Sequence, residues 1–175
     1  MTIKQSVEIK ENDFEESYIR VKQDDLVFLL NVESKTASII YNESDNDNIL
    51  IPKFVKNGDD EFIVTSIGDY SFHGSKSFKS IQFPQDSDVQ MIGEYAFAES
   101  SITNITIIPQ ITQICENAFF NCNCLCDIDI QKDSNLKIIE KNAFYNSNIE
   151  TFFVPSHVKK ICEGAFSQCC ILKDF

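Results

Sequence analysis

Three cysteines near the middle of the chain stand at alternate positions: Cys122, Cys124 and Cys126 form a C-x-C-x-C run. Thiols so spaced could hold a soft metal, close a disulfide or carry redox chemistry. An extended segment points successive side chains to opposite faces, so Cys124 and Cys126 share the side away from Leu125. Two thiols on one face fall short of the four ligands that a structural zinc site takes. The chain has 7 cysteines, an odd number that cannot pair completely within one molecule. Its 2 histidines, His73 and His157, fall in non-equivalent turns with no partner set around them, which argues against a Cys-His nucleophile pair. There is no phosphate-binding glycine loop, no H-E-x-x-H and no G-x-S-x-G. No catalytic residue, cofactor or metal is therefore expected, and binding is a better reading than turnover.

The cysteine positions have a plainer account, because the chain repeats. Its marker is a small residue followed by Phe: Ser71-Phe72, Ala96-Phe97, Ala118-Phe119, Ala143-Phe144 and Ala165-Phe166. The Phe-to-Phe spacings are 25, 22, 25 and 22. Five residues before each Phe stands Ile, as Ile67, Ile92, Ile114, Ile139 and Ile161. Three further back stands an aliphatic residue, as Val64, Val89, Ile111, Leu136 and Val158. Cys122 and Cys169 follow their Phe by three residues, where other coils carry Ser75, Ser100 and Ser147. Cys115 and Cys162 fill the slot of Gly68 and Gly93. Small, reduced, buried cysteine suits such slots.

A strand pattern follows each marker. It reads apolar-x-x-apolar-x-apolar: Phe78, Ile81, Phe83, then Ile102, Ile105, Ile107, then Leu125, Ile128, Ile130, then Ile149, Phe152, Val154. Period-two alternation buries one face. Pro84, Pro109 and Pro155 end these strands and turn the chain. The longer coils carry extra residues in Pro84-Gln-Asp-Ser-Asp and Gln131-Lys-Asp-Ser-Asn, which should bulge as surface loops. One coil cannot cover its own apolar residues, so stacking against neighbours must do it. The five marker phenylalanines should form a ladder through the rod.

Composition agrees with a packed rod: 43 % of the 175 residues are apolar. Against 15 basic residues stand 27 acidic ones, a formal charge of −12. That field repels phosphates, so nucleic acid and anionic membrane surfaces are poor partners. The longest apolar run, Leu26 to Leu30, is far below the about 20 residues of a membrane helix, so no membrane insertion is expected. Met1 to Lys10 is polar and lacks the apolar core of a secretory signal.

At the level of these motifs the chain resembles the BspA-like leucine-rich repeats. Their unit is similar to V-x-x-I-G-x-x-A-F followed by L-x-x-I-x-I-P, seen here as Val89-Gln-Met-Ile-Gly-Glu-Tyr-Ala-Phe97 and then Ile102 to Pro109. Ser34 to Ser38, Ile49 to Pro52 and Asn57-Gly58 through Gly68 resemble the family's run-in to its first full coil. The resemblance implies an α/β leucine-rich-repeat solenoid, with β-rich right-handed coils of 22–25 residues. It also implies a surface-antigen-like protein of bacteria or protist parasites, at the cell surface or secreted, with an adhesive role toward host matrix or cell-surface proteins. The missing signal peptide implies a cytoplasmic alternative, an intracellular scaffold or assembly subunit.

The organisation expected is a charged leader over 1–25, flexible or partly extended, then an N-terminal β cap and half coil over 26–63. Five coils follow over 64–175, the last incomplete. Leu26 to Val32 and Ala37 to Tyr41 read as a hairpin covering the first coil's apolar edge. The last coil leaves a strand edge that could pair with a second copy, giving a homodimer. Outward positions of the strands form two candidate protein-binding columns: Gln82, Thr106, Asp129, Phe153, and Lys79, Thr103, Cys126, Glu150, Lys173. Both lie on the sheet face that is typically concave in this architecture. Phe153 is an aromatic where a polar residue is expected, a candidate anchor.

Overall fold

The computed structural model describes residues 17–173. Most of the expected leader, 1–16, lies outside them. Its last residues do not form a separate segment: β1 (Tyr18–Gln23) pairs antiparallel with β2 (Leu26–Asn31). Strand β2 in turn pairs antiparallel with β3 (Thr36–Asn42). Leu26, Phe28 and Leu30 of β2 and Ala37 and Ile39 of β3 are buried in one core with the coils that follow.

From β3 onward the sheet changes direction. β3 runs parallel to β6 (Asp60–Ile67), with Ile39 in register with Ile67. The order continues through β8 (Met91–Ile92), β10 (Gln113–Ile114), β12 (Ile138–Ile139) and β13 (Lys160–Ile161), each parallel to the last. These short strands hold the V-x-x-I half of each repeat. A second strand array holds the L-x-x-I-x-I half. There β4 (Asn48–Leu50) pairs parallel with β7 (Ser80–Gln82), and β9 (Asn104–Ile107) with β11 (Asp127–Ile130). β3 and β4 thus supply one strand to each array ahead of the first Phe-marked coil. β5 (Phe54–Asn57) folds back on β6 through Gly58, whose φ of 64° suits the turn.

The small-Phe marker joins the two arrays as a tight turn. Its amides serve two ladders in alternation. Ala96, Ala98 and Ser100 donate to carbonyls three residues back, on Gly93, Tyr95 and Phe97. Tyr95, Phe97 and Glu99 donate to the next coil, on Glu116, Ala118 and Phe120. The same scheme recurs in the first, third and fourth coils, and the fifth keeps the three-back bonds. It leaves no amide for an α-helix, and the α half of the expected α/β class is corrected: the described residues hold a β solenoid of about five turns and no α-helix. Left-handed residues two before and two after each Phe enforce this. They are Asn117 and Asn121 in the third coil and Asn142 and Asn146 in the fourth, at φ 52° to 56°. Asparagine tolerates that region, and a helix cannot pass through it.

Inside, the phenylalanines stack. Phe72–Phe97, Phe97–Phe119, Phe119–Phe144 and Phe144–Phe166 have ring centroids 5.0, 5.1, 5.0 and 5.2 Å apart, with planes within 18° of parallel. The first four rings are buried, each contributing roughly 1.5–3 kcal/mol of transfer free energy. The extra residues of the longer coils form turns: Ser87 N donates to Pro84 O and Ser134 N to Gln131 O. The Ser87 and Ser134 hydroxyls accept from Val89 N and Leu136 N and return the chain to the repeat.

Candidate functional site

The strands of the second array turn their apolar residues inward and leave the intervening side chains on a common face. One column is tied together by its backbone. Thr103 N donates to Lys79 O, Cys126 N to Thr103 O, Glu150 N to Cys126 O and Lys173 N to Glu150 O, at 2.7, 3.1, 3.5 and 3.0 Å. Lys79, Cys126, Glu150 and Lys173 are exposed, and Thr103 is half-buried with its hydroxyl on Lys79 O. In the other column Thr106 and Asp129 are cross-strand partners. Gln82 and Asp129 are exposed and Thr106 is half-buried. Phe153 is 75 % exposed, the barest large apolar side chain among the described residues. Lys79 pairs with Asp47 at 3.1 Å and Lys173 with Glu150 at 3.9 Å, both in the open, where screening leaves such pairs weak.

The cysteines divide by depth. All seven are free thiols. Cys122 is buried and donates to Phe97 O at 3.0 Å; Cys169 donates to Phe144 O at 3.1 Å. Ser147, in the equivalent slot one coil away from Cys169, donates to Phe144 O at 2.7 Å. The slot takes a small donor: the two thiols reach the Phe carbonyl of the previous coil, and the Ser147 hydroxyl that of its own. Burial pushes the Cys122 thiol up to about 12. Burial, then the charges of Glu140 and Asp69, does the same to Cys115. Such thiols are poor nucleophiles and poor metal ligands. Cys124 and Cys126 are exposed, and the described residues contain no group of three or more His, Cys, Asp or Glu placed to hold a metal.

One exposed feature escaped the sequence reading. On the turn ridge Tyr70 stacks on Tyr95 at 5.0 Å and Phe120 on Tyr145 at 5.1 Å, both 11° from parallel. Tyr95 and Phe120 link the two pairs at 6.4 Å. These rings stand outside the core, one per coil over four coils. The signal was available as aromatic residues two before or one after the marker Phe.

Residues 61–173 match the family described as BspA type Leucine rich repeat region, in six copies, one more than the Phe markers count. The chain belongs to the BspA-type leucine-rich repeat family. Solved structures agree on the fold. This BspA-type chain is similar to the T. pallidum leucine rich repeat protein, at 22 % identity and TM-score 0.76, covering 88 % of this chain and 69 % of that one. It is also similar to a leucine-rich repeat protein of Bacteroides ovatus, at 26 % identity and TM-score 0.76, covering 88 % and 40 %. A third likeness is the pneumococcal vaccine antigen PcpA, at 23 % identity and TM-score 0.70, covering 86 % and 47 %. The chain spans less than half the length of the last two. A search of curated proteins found no match. A BspA-type repeat surface is the fold of a protein-interaction module, and the family is typically non-enzymatic. Among the described residues no helix is long and apolar enough to cross a membrane.

Proposed function

We propose that this chain is a protein-binding module that engages its partner through the outward face of the second strand array, in an adhesive role at a cell surface. Phe153 carries the reading. An aromatic side chain 75 % exposed beside polar columns is the kind of anchor on which interfaces concentrate their energy. Lys79, Gln82, Thr103, Thr106, Cys126, Asp129, Glu150 and Lys173 form the surface around it. Their mixed charges and polar side chains suit a polar rim. The likeness to bacterial repeat proteins, one of them a vaccine antigen, supports a surface role.

The test uses immobilised collagen, laminin and fibronectin as matrix probes. The chain should bind at least one of them, and Phe153→Ser should weaken that binding about tenfold or more, equivalent to about 1.4 kcal/mol, with thermal unfolding unchanged. Undiminished binding by the folded variant removes Phe153 as the anchor. Antibody staining of intact and permeabilised source cells tests display. Staining only after permeabilisation sets adhesion aside in favour of an intracellular scaffold.

Self-association through the last coil is a second reading. Ile161 of β13 and Ile171 are 36 % and 40 % exposed, and Leu172 is half-buried. A sedimentation profile that stays monomeric with rising concentration would end it.

A further inference from the structure

The ridge of turns carries a second surface, distinct from the strand face. Its rings run in contact from coil to coil: Tyr70 on Tyr95, Tyr95 to Phe120, Phe120 on Tyr145. Tyr70 is 53 % exposed and the others are half-buried.

Two of these rings sit where the backbone resists them. Tyr70 and Tyr95 have φ of 57° and 51°, in the left-handed region. The third, fourth and fifth coils fill the same position with Asn117, Asn142 and Gly164, the residues that region favours. Phe119 and Phe144 stack as closely, at 5.0 Å, in the two coils that carry Asn at this position, so core packing does not demand a tyrosine there. Bulky side chains kept at strained backbone positions mark a place where the side chain has a use.

Carboxylates accompany the rings. Tyr70 N is bonded to the carbonyl of Glu94, and Tyr95 N to that of Glu116, so each tyrosine's backbone is paired with that of an acidic residue of the next coil. Asp69, Glu94, Glu99 and Glu163 on this ridge are exposed, and none of them takes part in any ion pair among the described residues. Partial burial, then the charges of Glu94 and Tyr95, raise the Tyr70 phenol, which places that carboxylate within electrostatic reach of the ring.

We propose that this aromatic ridge is a docking surface for an extended, Arg- or Lys-rich segment of a partner protein. The apolar stems of such residues lie along ring surface while their charged heads meet carboxylates, and a guanidinium also stacks on an open ring. The charge of the chain, −12, draws a basic segment in and repels an acidic or phosphate-bearing one. The rings stand 5.0, 6.4 and 5.1 Å apart and an extended segment advances about 3.3 Å per residue, so a peptide of about six residues spans the four coils.

The probe is an end-blocked peptide of about that length alternating Arg and Ala, titrated against the full chain by calorimetry, with a Glu-Ala peptide as control. The Arg peptide should bind and the Glu peptide should not, and added salt should weaken binding steeply. Tyr70→Asn with Tyr95→Asn copies the residues of the later coils. It should cut affinity about tenfold or more while the melting temperature holds or rises. Glu94→Gln with Glu99→Gln should weaken binding and flatten its salt dependence. Phe153→Ser should leave peptide binding unchanged, which separates this surface from the strand face. Undiminished binding by the Asn pair, equal binding of the Glu peptide, or displacement of the Arg peptide by a neutral glucan oligosaccharide would each overturn the proposal.

Discussion

Phe119 lies face to face with Phe144, ring centroids 5.0 Å apart and planes 6° from parallel, and meets Phe97 on its other face at 5.1 Å and 9°. The coils cannot close up if that ring is lost. Phe97 N is held on Ala118 O and Phe119 N on Ala143 O, so backbone bonds fix the spacing. Phe119→Ala should therefore leave a cavity and cost about 3–5 kcal/mol. Denaturant unfolding measures it, and a loss below about 1 kcal/mol would refute the ladder's role. Phe166→Ala, at a half-buried ring, should cost less.

The ladder was legible because a single slot, the Phe after a small residue, recurs five times. The L-x-x-I-x-I strands were legible for the same reason. The first array was not, since β8, β10, β12 and β13 are two residues each, too short for alternation to register. The absent helix could have been read from Asn117, Asn121, Asn142 and Asn146, whose recurrence flanks the marker. The resemblance to leucine-rich repeats weighed against it. The ridge rings were hidden because they change position, from two before the marker in Tyr70 and Tyr95 to one after it in Phe120 and Tyr145. The candidate columns could be drawn in advance because parallel coils bring equal repeat positions side by side.

Gly68 sits where two coils nearly touch. A Cβ there would lie 2.4 Å from the Ile39 carbonyl oxygen, a backbone atom held by the Gly68 N to Ile39 O bond. Gly68→Ala must push β3 from the first coil. A loss of about 1–3 kcal/mol is expected. Thermal unfolding that matches the parent would show that this contact yields freely. The same slot accepts Glu140 in the fourth coil, whose carboxylate receives Gln113 Nε2 and Glu116 N at 2.8 and 2.9 Å.

Thiol depth predicts a labelling pattern. With iodoacetamide at about pH 8, Cys124, Cys126 and Cys170 should be alkylated in the folded chain. Cys115 and Cys122 should be spared until denaturant is added, because each is buried and its thiol is pushed up to about 12. Peptide mass mapping reads the result. Fast labelling of Cys122 without denaturant would mean that the third coil opens readily.

The same two thiols give the fold an alkaline dependence. Folding raises each from an ordinary value of 9.0 to about 12, so above pH 9.0 the unfolded chain releases protons that the folded chain keeps. Stability from these groups is therefore complete below about pH 9 and is lost as pH rises toward about 12. Cys122→Ser isolates the effect. Serine does not titrate in this range, and Ser147 shows that a buried hydroxyl is accommodated in the equivalent slot, bonded there to the Phe144 carbonyl of its own coil. Melting temperatures of parent and variant should run together at neutral pH and part above about pH 9, with the variant falling less. Parallel curves across that range would mean that the Cys122 thiolate is accommodated in the folded chain.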